Sequence, residues 1–185
     1  MSDLPRTRAA VFLDRDGVLN LDVGYAHRPD QLELLPNIKQ GLRNLHKAGF
    51  LLIVVTNQSG VARGYYKEED IRLFHSAMDQ ALIEMVGIKM DAYYHCPHHT
   101  KGSVSPWNVR CECRKPGTLM LDEASRSFGI DFKKSYLVGD KISDIDCGKA
   151  ARCKTIQIKG KYDFHKEPDF FADDINSASR WILGN

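Results

Sequence analysis

Short apolar runs alternate with amphipathic stretches along almost the whole of this 185-residue chain. Short apolar runs indicate buried strands, whereas apolar residues spaced three and four apart indicate helices. The predicted strands are AAVFL at 9–13, FLLIVVT at 50–56, DAYYH at 91–95, SYLVG at 135–139 and KTIQI at 154–158. The predicted helices are at 38–48, 68–85, 118–128, 142–151 and 176–183. Such alternation predicts an α/β fold, with a Rossmann-like parallel sheet covered by helices on both faces.

The composition predicts one globular domain over residues 1–185. Hydrophobic residues make up 43% of the chain and charged residues 27%, and 26 basic against 24 acidic residues give a net charge of +2. The charges are interspersed, so no nucleic-acid or membrane partner is expected. The N-terminus has no signal-peptide apolar region and no apolar run is long enough to span a bilayer, so we expect a cytoplasmic protein, and we take it to be a monomer.

Residues 97–116 form the one long stretch without clear periodicity, where such a domain usually has a short connection. The stretch is bounded by Cys96 and contains His98, Cys111 and Cys113, spaced as a C-x-H pair and a C-x-C pair with twelve residues between the pairs. Three thiolates and one imidazole complete a tetrahedral Zn²⁺ site with no position left for water. We therefore predict a structural zinc loop at about 96–113, ordered by the metal.

Other histidines and cysteines could compete for this metal. His95 continues the predicted strand and His99 would break the paired spacing, so we favour His98 as the fourth ligand. Cys147 and Cys153 lie outside the cluster, and we interpret both as small buried residues. The chain has five cysteines, an odd count, and three of them crowd into eighteen residues with histidines nearby, which in a cytosolic chain favours metal binding over disulfides.

Polar residues follow three of the predicted strands, at the point where each strand ends. Ligands of open α/β sheets bind beyond the carboxyl ends of the strands, and in a parallel sheet those ends share one edge. The residues concerned are Asp14 and Asp16 after the first strand, Thr56, Asn57, Gln58 and Ser59 after the second, and Asp140, Lys141 and Asp144 after the fourth. Carboxylates gathered at one edge would repel one another unless a cation lay among them, and hard oxygen ligands indicate Mg²⁺. A Mg²⁺ ion held in this way usually accompanies a phosphate group of the substrate.

Simpler explanations exist for each aspartate taken alone. An aspartate after a strand is often a helix N-cap or part of an Asx turn. The coincidence at three strand ends argues against that explanation for the set. Asp-x-Asp-Gly is also typical of a calcium-binding EF-hand, but that loop needs a bidentate glutamate eleven residues after the first aspartate, where this chain has Tyr25.

The stretches DRDGV, VVTNQSG, CRKPG and GDKISD, in this order and spacing, resemble the four motifs of the haloacid dehalogenase (HAD) superfamily of aspartate-nucleophile phosphatases. The resemblance implies a catalytic set of Asp14, Asp16, Thr56 and Lys115. Asp14 would attack phosphorus, and Asp16 would protonate the leaving oxygen and later activate water. Thr56 and Lys115 would hold the phosphoryl oxygens. Asp14, the backbone carbonyl of Asp16 and Asp140 would bind Mg²⁺.

A zinc loop between the second and third motifs is similar to the branch that holds the D-glycero-D-manno-heptose 1,7-bisphosphate 7-phosphatase and histidinol-phosphate phosphatase families. The twelve-residue gap, NLDVGYAHRP at 20–29 and TNQSGVARG at 56–64 resemble the heptose family. That resemblance implies release of the 7-phosphate to give heptose 1-phosphate for bacterial lipopolysaccharide biosynthesis, from a small sugar bisphosphate as partner. It also implies substrate contacts at Asp22, Val23, Gly24, Tyr25, Thr56, Asn57, Gln58, Ser59, Arg114, Lys115 and Lys141.

The connections between the motifs are too short for a separate cap domain, so we expect the loops at 22–29, 58–66 and 98–112 to form the walls around the substrate. Three other functions stay open at this point. The first is histidinol-phosphate hydrolysis. The second is a zinc knuckle that binds nucleic acid, although few basic and aromatic residues surround the cysteines. The third is a phosphatase-like scaffold without turnover, against which the full set of catalytic residues argues.

Overall fold

A computed structural model of the protein describes residues 7–161 and 167–185. In this part of the chain, six parallel strands form a single sheet in the order β3-β2-β1-β4-β5-β6. The strands are β1 (Ala10–Leu13), β2 (Leu51–Asn57), β3 (Ala92–Cys96), β4 (Tyr136–Gly139), β5 (Lys154–Ile158) and β6 (Phe170–Ala172). The helices are α1 (Ile38–Lys47), α2 (Glu68–Val86), α3 (Leu119–Phe128), α4 (Ile142–Ala150) and α5 (Ile175–Leu183). The predicted α/β class and parallel sheet are thus confirmed.

Helices cover both faces of the sheet because each strand presents alternate side chains to opposite sides. On β1, Val11 and Leu13 pack into one apolar cluster with side chains of α1, α2 and α5. Ala10 and Phe12 point the other way and pack with side chains of α3 and α4. The central strands β1, β2 and β4 are therefore buried on both faces, which explains why their sequences are apolar almost throughout.

All five predicted strands and all five predicted helices are present, with ends that differ by a few residues. Strand β6 was not predicted, because Phe170–Ala172 contributes only three residues and carries no alternating pattern. Two short 3-10 helices, Pro29–Gln31 and Phe132–Lys134, were not predicted either. None of the helices in the described residues has the length and apolar character that a bilayer span requires.

Strand order decides where a site can form. Strand β1 pairs with β2 on one side and with β4 on the other, so the segment after β1 has two strand ends as neighbours. The chain after β3 runs into residues 97–118, which return to the same edge of the sheet before α3. The absence of a cap domain and the single-domain assignment for 1–185 stay predictions.

Candidate active site

The predicted polar residues meet at the carboxyl edge of the sheet, beside the end of β1. The amide of Asp14 donates to the carbonyl of Val138 in β4 at 2.9 Å, which fixes the first residue after β1 against the neighbouring strand. Thr56 near the end of β2 and Asp140 after β4 lie on either side, and all three side chains are buried. The prediction that strand ends bring these groups together therefore holds for their positions in the fold.

Three buried carboxylates converge at this edge. Asp14, Asp140 and Asp144 each offer an oxygen, and these oxygens all lie within 4.8 Å of one another. The Oδ1 atom of Asp140 has no hydrogen-bond partner in the described residues, although Lys141 Nζ lies 3.7 Å away. Burial and the negative charge of Asp14 raise the pKa of Asp140 to about 7. Buried carboxylates with an unpaired oxygen suit a hard divalent cation such as Mg²⁺.

Gly17 allows the loop after β1 to pass close to this cluster. Its φ is +85°, in the left-handed region that favours glycine, and a Cβ at this position would overlap the carboxylate of Asp140. Any other residue at position 17 would therefore displace Asp140 and strain the backbone.

Lys115 is the cation that the structure places among the carboxylates. Its Nζ atom lies 2.9 Å from Asp14 Oδ1 and 2.7 Å from Asp144 Oδ1, and it donates to the carbonyl of Val55 at 2.7 Å. Burial opposes the charge of Lys115, but Asp14 and Asp144 outweigh it and raise its pKa. The ammonium group therefore stays charged between the carboxylates of Asp14 and Asp144.

Two further residues hold Lys115 in place, and sequence reasoning did not assign them this part. Asn57 exchanges two hydrogen bonds with the backbone of Lys115: its Nδ2 donates to the carbonyl at 3.1 Å, and its Oδ1 accepts from the amide at 3.0 Å. Asp144 is 1% exposed, and its Oδ2 accepts from the amide of Lys141 at 3.0 Å at the start of α4. Asp144 thus acts both as the ion-pair partner of Lys115 and as the hydrogen-bond acceptor for a backbone N–H group at the start of α4.

Asp16 has a different set of partners. Arg15 is fully buried, and its Nη2 donates to Asp16 Oδ2 at 2.9 Å and to the carbonyl of Ala26 at 2.6 Å. Asn20 Nδ2 donates to Asp16 Oδ1 at 2.9 Å, and Gln58 Nε2 donates to Oδ2 at 3.1 Å. The structure thus places the positive charge of Arg15 directly against Asp16.

Two adjoining cavities open at this edge. A small one of about 30 Å³ is lined by Asp14, Asp16, Thr56, Asn57, Lys115, Lys141, Ser143 and Asp144. A larger one of about 380 Å³ continues outward and is lined by Asp16, Asp22, Gly24, Tyr25, Asn57, Gln58, Ser59, Tyr66, Arg114, Lys141 and Ser143. Because several residues line both, the pair has room for a phosphoryl group with a polar body attached.

Most of the predicted substrate residues line these cavities. Val23 is an exception, since it lines neither one and is 52% exposed. Ser143 and Tyr66 line the larger cavity and were not among the predicted substrate contacts, although Tyr66 ends the loop at 58–66 that was predicted to form a wall. The signal for Ser143 was its place within GDKISD, directly after a strand end, whereas nothing in the sequence distinguished Tyr66 from its neighbour Tyr65.

The predicted zinc ligands Cys96, His98, Cys111 and Cys113 form a second cluster, with Sγ and Nδ1 atoms within 4.8 Å of one another. The Sγ atom of Cys113 lies 3.1 Å from that of Cys96, 3.2 Å from that of Cys111 and 3.3 Å from His98 Nδ1. Hydrogen bonding with Cys96 lowers the pKa of Cys113 to about 5. Four converging soft ligands fit Zn²⁺.

The competing histidines His95 and His99 and the two remaining cysteines lie outside this cluster. His95 Nε2 lies 2.9 Å from Glu68 Oε1, and His99 Nδ1 accepts from the amide of Lys101 at 3.0 Å. Cys147 and Cys153 are buried, as the sequence indicated. Arg114 directly follows the last ligand, and its Nη1 lies 3.4 Å from the carbonyl of His98. Arg114, which lines the larger cavity, therefore follows directly on residues 96–113, which carry these four side chains and are called the zinc-ligand segment below.

The fold and the site together define a HAD-like hydrolase: the sheet is parallel, buried aspartates follow β1 and β4, and a lysine lies among them. A family model described as HAD-hydrolase-like matches residues 112–178. Curated relatives agree. The chain is 40% identical over 182 residues to D-glycero-beta-D-manno-heptose-1,7-bisphosphate 7-phosphatase of Pasteurella multocida, covering 96% of this chain and 98% of the relative. The protein of the same name from Escherichia coli K12 is 43% identical over 178 residues, covering 95% and 88%. The chain belongs to this 7-phosphatase family.

A solved structure supports the same assignment. The D,D-heptose 1,7-bisphosphate phosphatase of B. bronchiseptica, complexed with magnesium and phosphate, has a TM-score of 0.81 and is 28% identical. The match covers 95% of this chain and 98% of that one. That enzyme therefore shares both the fold and the chain length of the present protein.

Proposed function

We propose that this protein hydrolyses the 7-phosphate of D-glycero-D-manno-heptose 1,7-bisphosphate to give heptose 1-phosphate. The proposal is supported by the family assignment, since the relatives in Pasteurella multocida and Escherichia coli carry this activity in their names. The observation that carries it is the contact between Lys115 and Asp14 at the base of the two cavities. A nucleophilic carboxylate and a phosphate-binding cation are thereby held together where a phosphoryl group can enter.

The first half of the proposed reaction transfers the phosphoryl group to the protein. An oxygen of Asp14 attacks phosphorus, and the bond between phosphorus and the C7 oxygen breaks. Asp16 gives its proton to that leaving oxygen, so that the product departs as an alcohol. Lys115 and Thr56 hold the phosphoryl oxygens through this step. Mg²⁺, held by Asp14, the backbone carbonyl of Asp16 and Asp140, would supply positive charge that offsets the repulsion between Asp14 and the phosphate dianion.

The second half releases inorganic phosphate. Asp16, now ionised, takes a proton from a water molecule, and the resulting hydroxide attacks phosphorus in the aspartyl-phosphate. The bond between phosphorus and the Asp14 oxygen breaks, which restores both carboxyl groups to their starting states. Arg15, Asn20 and Gln58 hold Asp16 in one orientation, and this orientation serves both halves of the cycle.

The second phosphate and the sugar would occupy the larger cavity. Arg114 presents a guanidinium group there, which suits a phosphate or sugar oxygens because its N–H groups form a planar fork. The zinc-ligand segment places this arginine, since Arg114 follows Cys113 directly in the chain. Zn²⁺ at Cys96, His98, Cys111 and Cys113 would thus be structural and would support substrate binding only through the backbone.

The test is phosphate release measured side by side on both C1 anomers of the heptose bisphosphate and on histidinol phosphate. We expect the highest kcat/KM on a heptose bisphosphate, with one phosphate released and the C1 phosphate retained in the product. A higher kcat/KM on histidinol phosphate, or release of the C1 phosphate first, would overturn the proposal. Chelation of divalent cations should abolish turnover, and Mg²⁺ should restore it.

A further inference from the structure

Tyr66 has no part in the proposed reaction, yet its hydroxyl group is connected to the proposed acid through one residue. The Oη atom of Tyr66 donates to Gln58 Oε1 at 2.7 Å. The other end of the same amide donates from Nε2 to Asp16 Oδ2 at 3.1 Å and to Thr56 Oγ1 at 2.8 Å. Tyr66 is 7% exposed and Gln58 is 2% exposed, so solvent has little access to these bonds.

We propose that Tyr66 is a positioning residue that acts through Gln58 to hold the Asp16 carboxyl group in its reactive orientation. The inference rests on the proposed function, because it assigns Tyr66 a part in the same proton transfers. It extends that function to a residue that lines the larger cavity and to which the proposed reaction assigns no contact with phosphorus, the leaving oxygen or the attacking water.

Hydrogen-bond chemistry gives the chain of contacts a single direction. An amide group has one end that only accepts and one end that only donates. Because Tyr66 donates to Oε1, Nε2 of Gln58 is turned toward Asp16, whose carboxylate oxygens need donors. When Asp16 is ionised, as in the second half of the proposed reaction, the reversed amide would place Oε1 against Asp16 Oδ2, two acceptors in contact. Burial raises the pKa of Tyr66 to about 12, so the hydroxyl keeps its proton over the pH range of an ordinary assay.

The ring of Tyr66 is fixed from several sides, which is what a positioning residue requires. It packs with Val61 and Ile71 in a small apolar cluster, to which Trp107 of the zinc-ligand segment adds its ring. The ring of His27 stacks on it with centroids 4.6 Å apart. A Cβ at Gly60 would overlap the ring, so glycine at position 60 is what leaves room for it. Loops from three parts of the chain therefore converge on one side chain.

The test is Tyr66→Phe, which removes the hydroxyl and leaves the ring in its cluster. The rate of a single turnover on heptose 1,7-bisphosphate should fall about three- to tenfold, because the amide of Gln58 is no longer held. The substrate concentration that gives half of that rate should change less than about twofold. The matched control is Tyr93→Phe, which removes another partly buried hydroxyl, one that donates to Asp79 Oδ1 at 2.7 Å away from the site. It should lower the melting temperature and leave the turnover rate unchanged.

A second variant separates positioning from a structural role. Gln58→Leu should slow turnover at least as much as Tyr66→Phe, and the double variant should be no slower than Gln58→Leu alone, since both changes break one chain of contacts. The inference would be overturned if the loss of rate in the double variant equalled the product of the two single losses. It would also be overturned if Tyr66→Phe turned over at the wild-type rate. If the wild-type protein does not hydrolyse the heptose bisphosphate, it is the proposed function that is overturned. The same variants are then compared on whichever phosphomonoester the protein hydrolyses.

Discussion

The Nζ atom of Lys115 lies 2.9 Å from Oδ1 of Asp14, although the two residues are separated by 101 positions in the sequence. Both side chains are buried, and Oδ1 of Asp144 lies 2.7 Å from the same ammonium group. Removing a partner from a buried ion pair is costly because the remaining charges are left without compensation. The contact therefore links the stability of the site to its proposed chemistry.

Lys115→Met should lower both the turnover rate and the stability of the protein. We expect turnover to fall about a hundred- to thousandfold, since a donor to the phosphoryl oxygens is lost. The free energy of unfolding, measured by urea denaturation of the metal-free protein, should fall by about 3 kcal/mol. The control Lys134→Met removes an exposed lysine that lies 3.6 Å from Asp131, and should cost less than about 1 kcal/mol. Normal turnover by Lys115→Met would contradict the proposed role.

Asp14→Asn should abolish phosphate release while the circular dichroism spectrum stays that of the wild type. An amide oxygen cannot replace the attacking carboxylate, so we expect a loss of about 10⁴-fold or more. Because an asparagine can hydrolyse back to aspartate, Asp14→Ala should be measured beside it. The exposed Asp30 provides a control, and Asp30→Asn should be fully active. Turnover by both position-14 variants would exclude Asp14 as the nucleophile.

Gly17→Ala should weaken the response to Mg²⁺. The added methyl group would meet the carboxylate of Asp140, so we expect a higher Mg²⁺ concentration for half-maximal activity and a loss of stability. Gly49→Ala is a matched control, because Gly49 has the same φ of +85° and a Cβ there would meet nothing within 4 Å. It should cost about 1 kcal/mol through backbone strain alone and leave the Mg²⁺ titration unchanged. Equal Mg²⁺ titrations for both variants would rule out the contact with Asp140.

Replacement of one proposed zinc ligand should release the metal. Cys113→Ser is expected to lower the bound zinc, measured by elemental analysis, well below one ion per chain. It should also speed hydrogen exchange across residues 97–116, which the metal would otherwise order. Two controls should retain zinc: Cys153→Ser, a buried thiol outside the cluster, and His99→Asn, the competing imidazole. Loss of zinc from His99→Asn would show that the fourth ligand is assigned wrongly.

His75 should make the fold sensitive to acid. Burial and the nearby charge of Arg15 lower the pKa of His75 from 6.5 to about 2. The folded state thus keeps the ring neutral, whereas the unfolded chain takes up a proton below about pH 6.5. Stability is therefore fully present above that pH and is lost as the pH falls, by about 1.4 kcal/mol per unit.

His75→Phe should remove this slope, since phenylalanine can keep the stacking on Tyr93, whose ring centroid lies 4.4 Å away. The measurement is the free energy of unfolding by urea between about pH 5 and pH 7, where the variant should lose about 2 kcal/mol less than the wild type. His46→Phe, at an exposed position of α1, should keep the wild-type slope. Parallel slopes for wild type and His75→Phe would contradict the burial of a neutral ring.

The residues that meet at the candidate active site could be named in advance because they follow strands that local patterning makes visible. Asp14, Thr56 and Asp140 each come at the end of an apolar run, and parallel strands bring such ends to one edge. The zinc ligands were visible for a similar reason, since paired spacing of cysteine and histidine is a local feature. The substrate, by contrast, was suggested by resemblance and is supported by the relatives.

Contacts between distant segments could not be predicted, because they depend on which strands become neighbours. The sequence named Lys115 and Asp144 without pairing them, and it named Gln58 without showing that its amide is held by Tyr66. It offered no reason to expect Arg15, a fully buried arginine, against Asp16. Strand β6 was missed because three residues are too few to show a period.

The sequence by itself determined the elements and the chemistry available at their ends, since hydrophobic period and side-chain type are properties of the local chain. Tertiary structure decided the rest. The order β2-β1-β4 at the centre of the sheet puts Asp14 between two other strand ends, and the return of residues 97–118 brings Lys115 into the same space. Charges so far apart along the chain acquire a common function only when burial holds them within a few ångströms, where their mutual attraction is no longer screened by water.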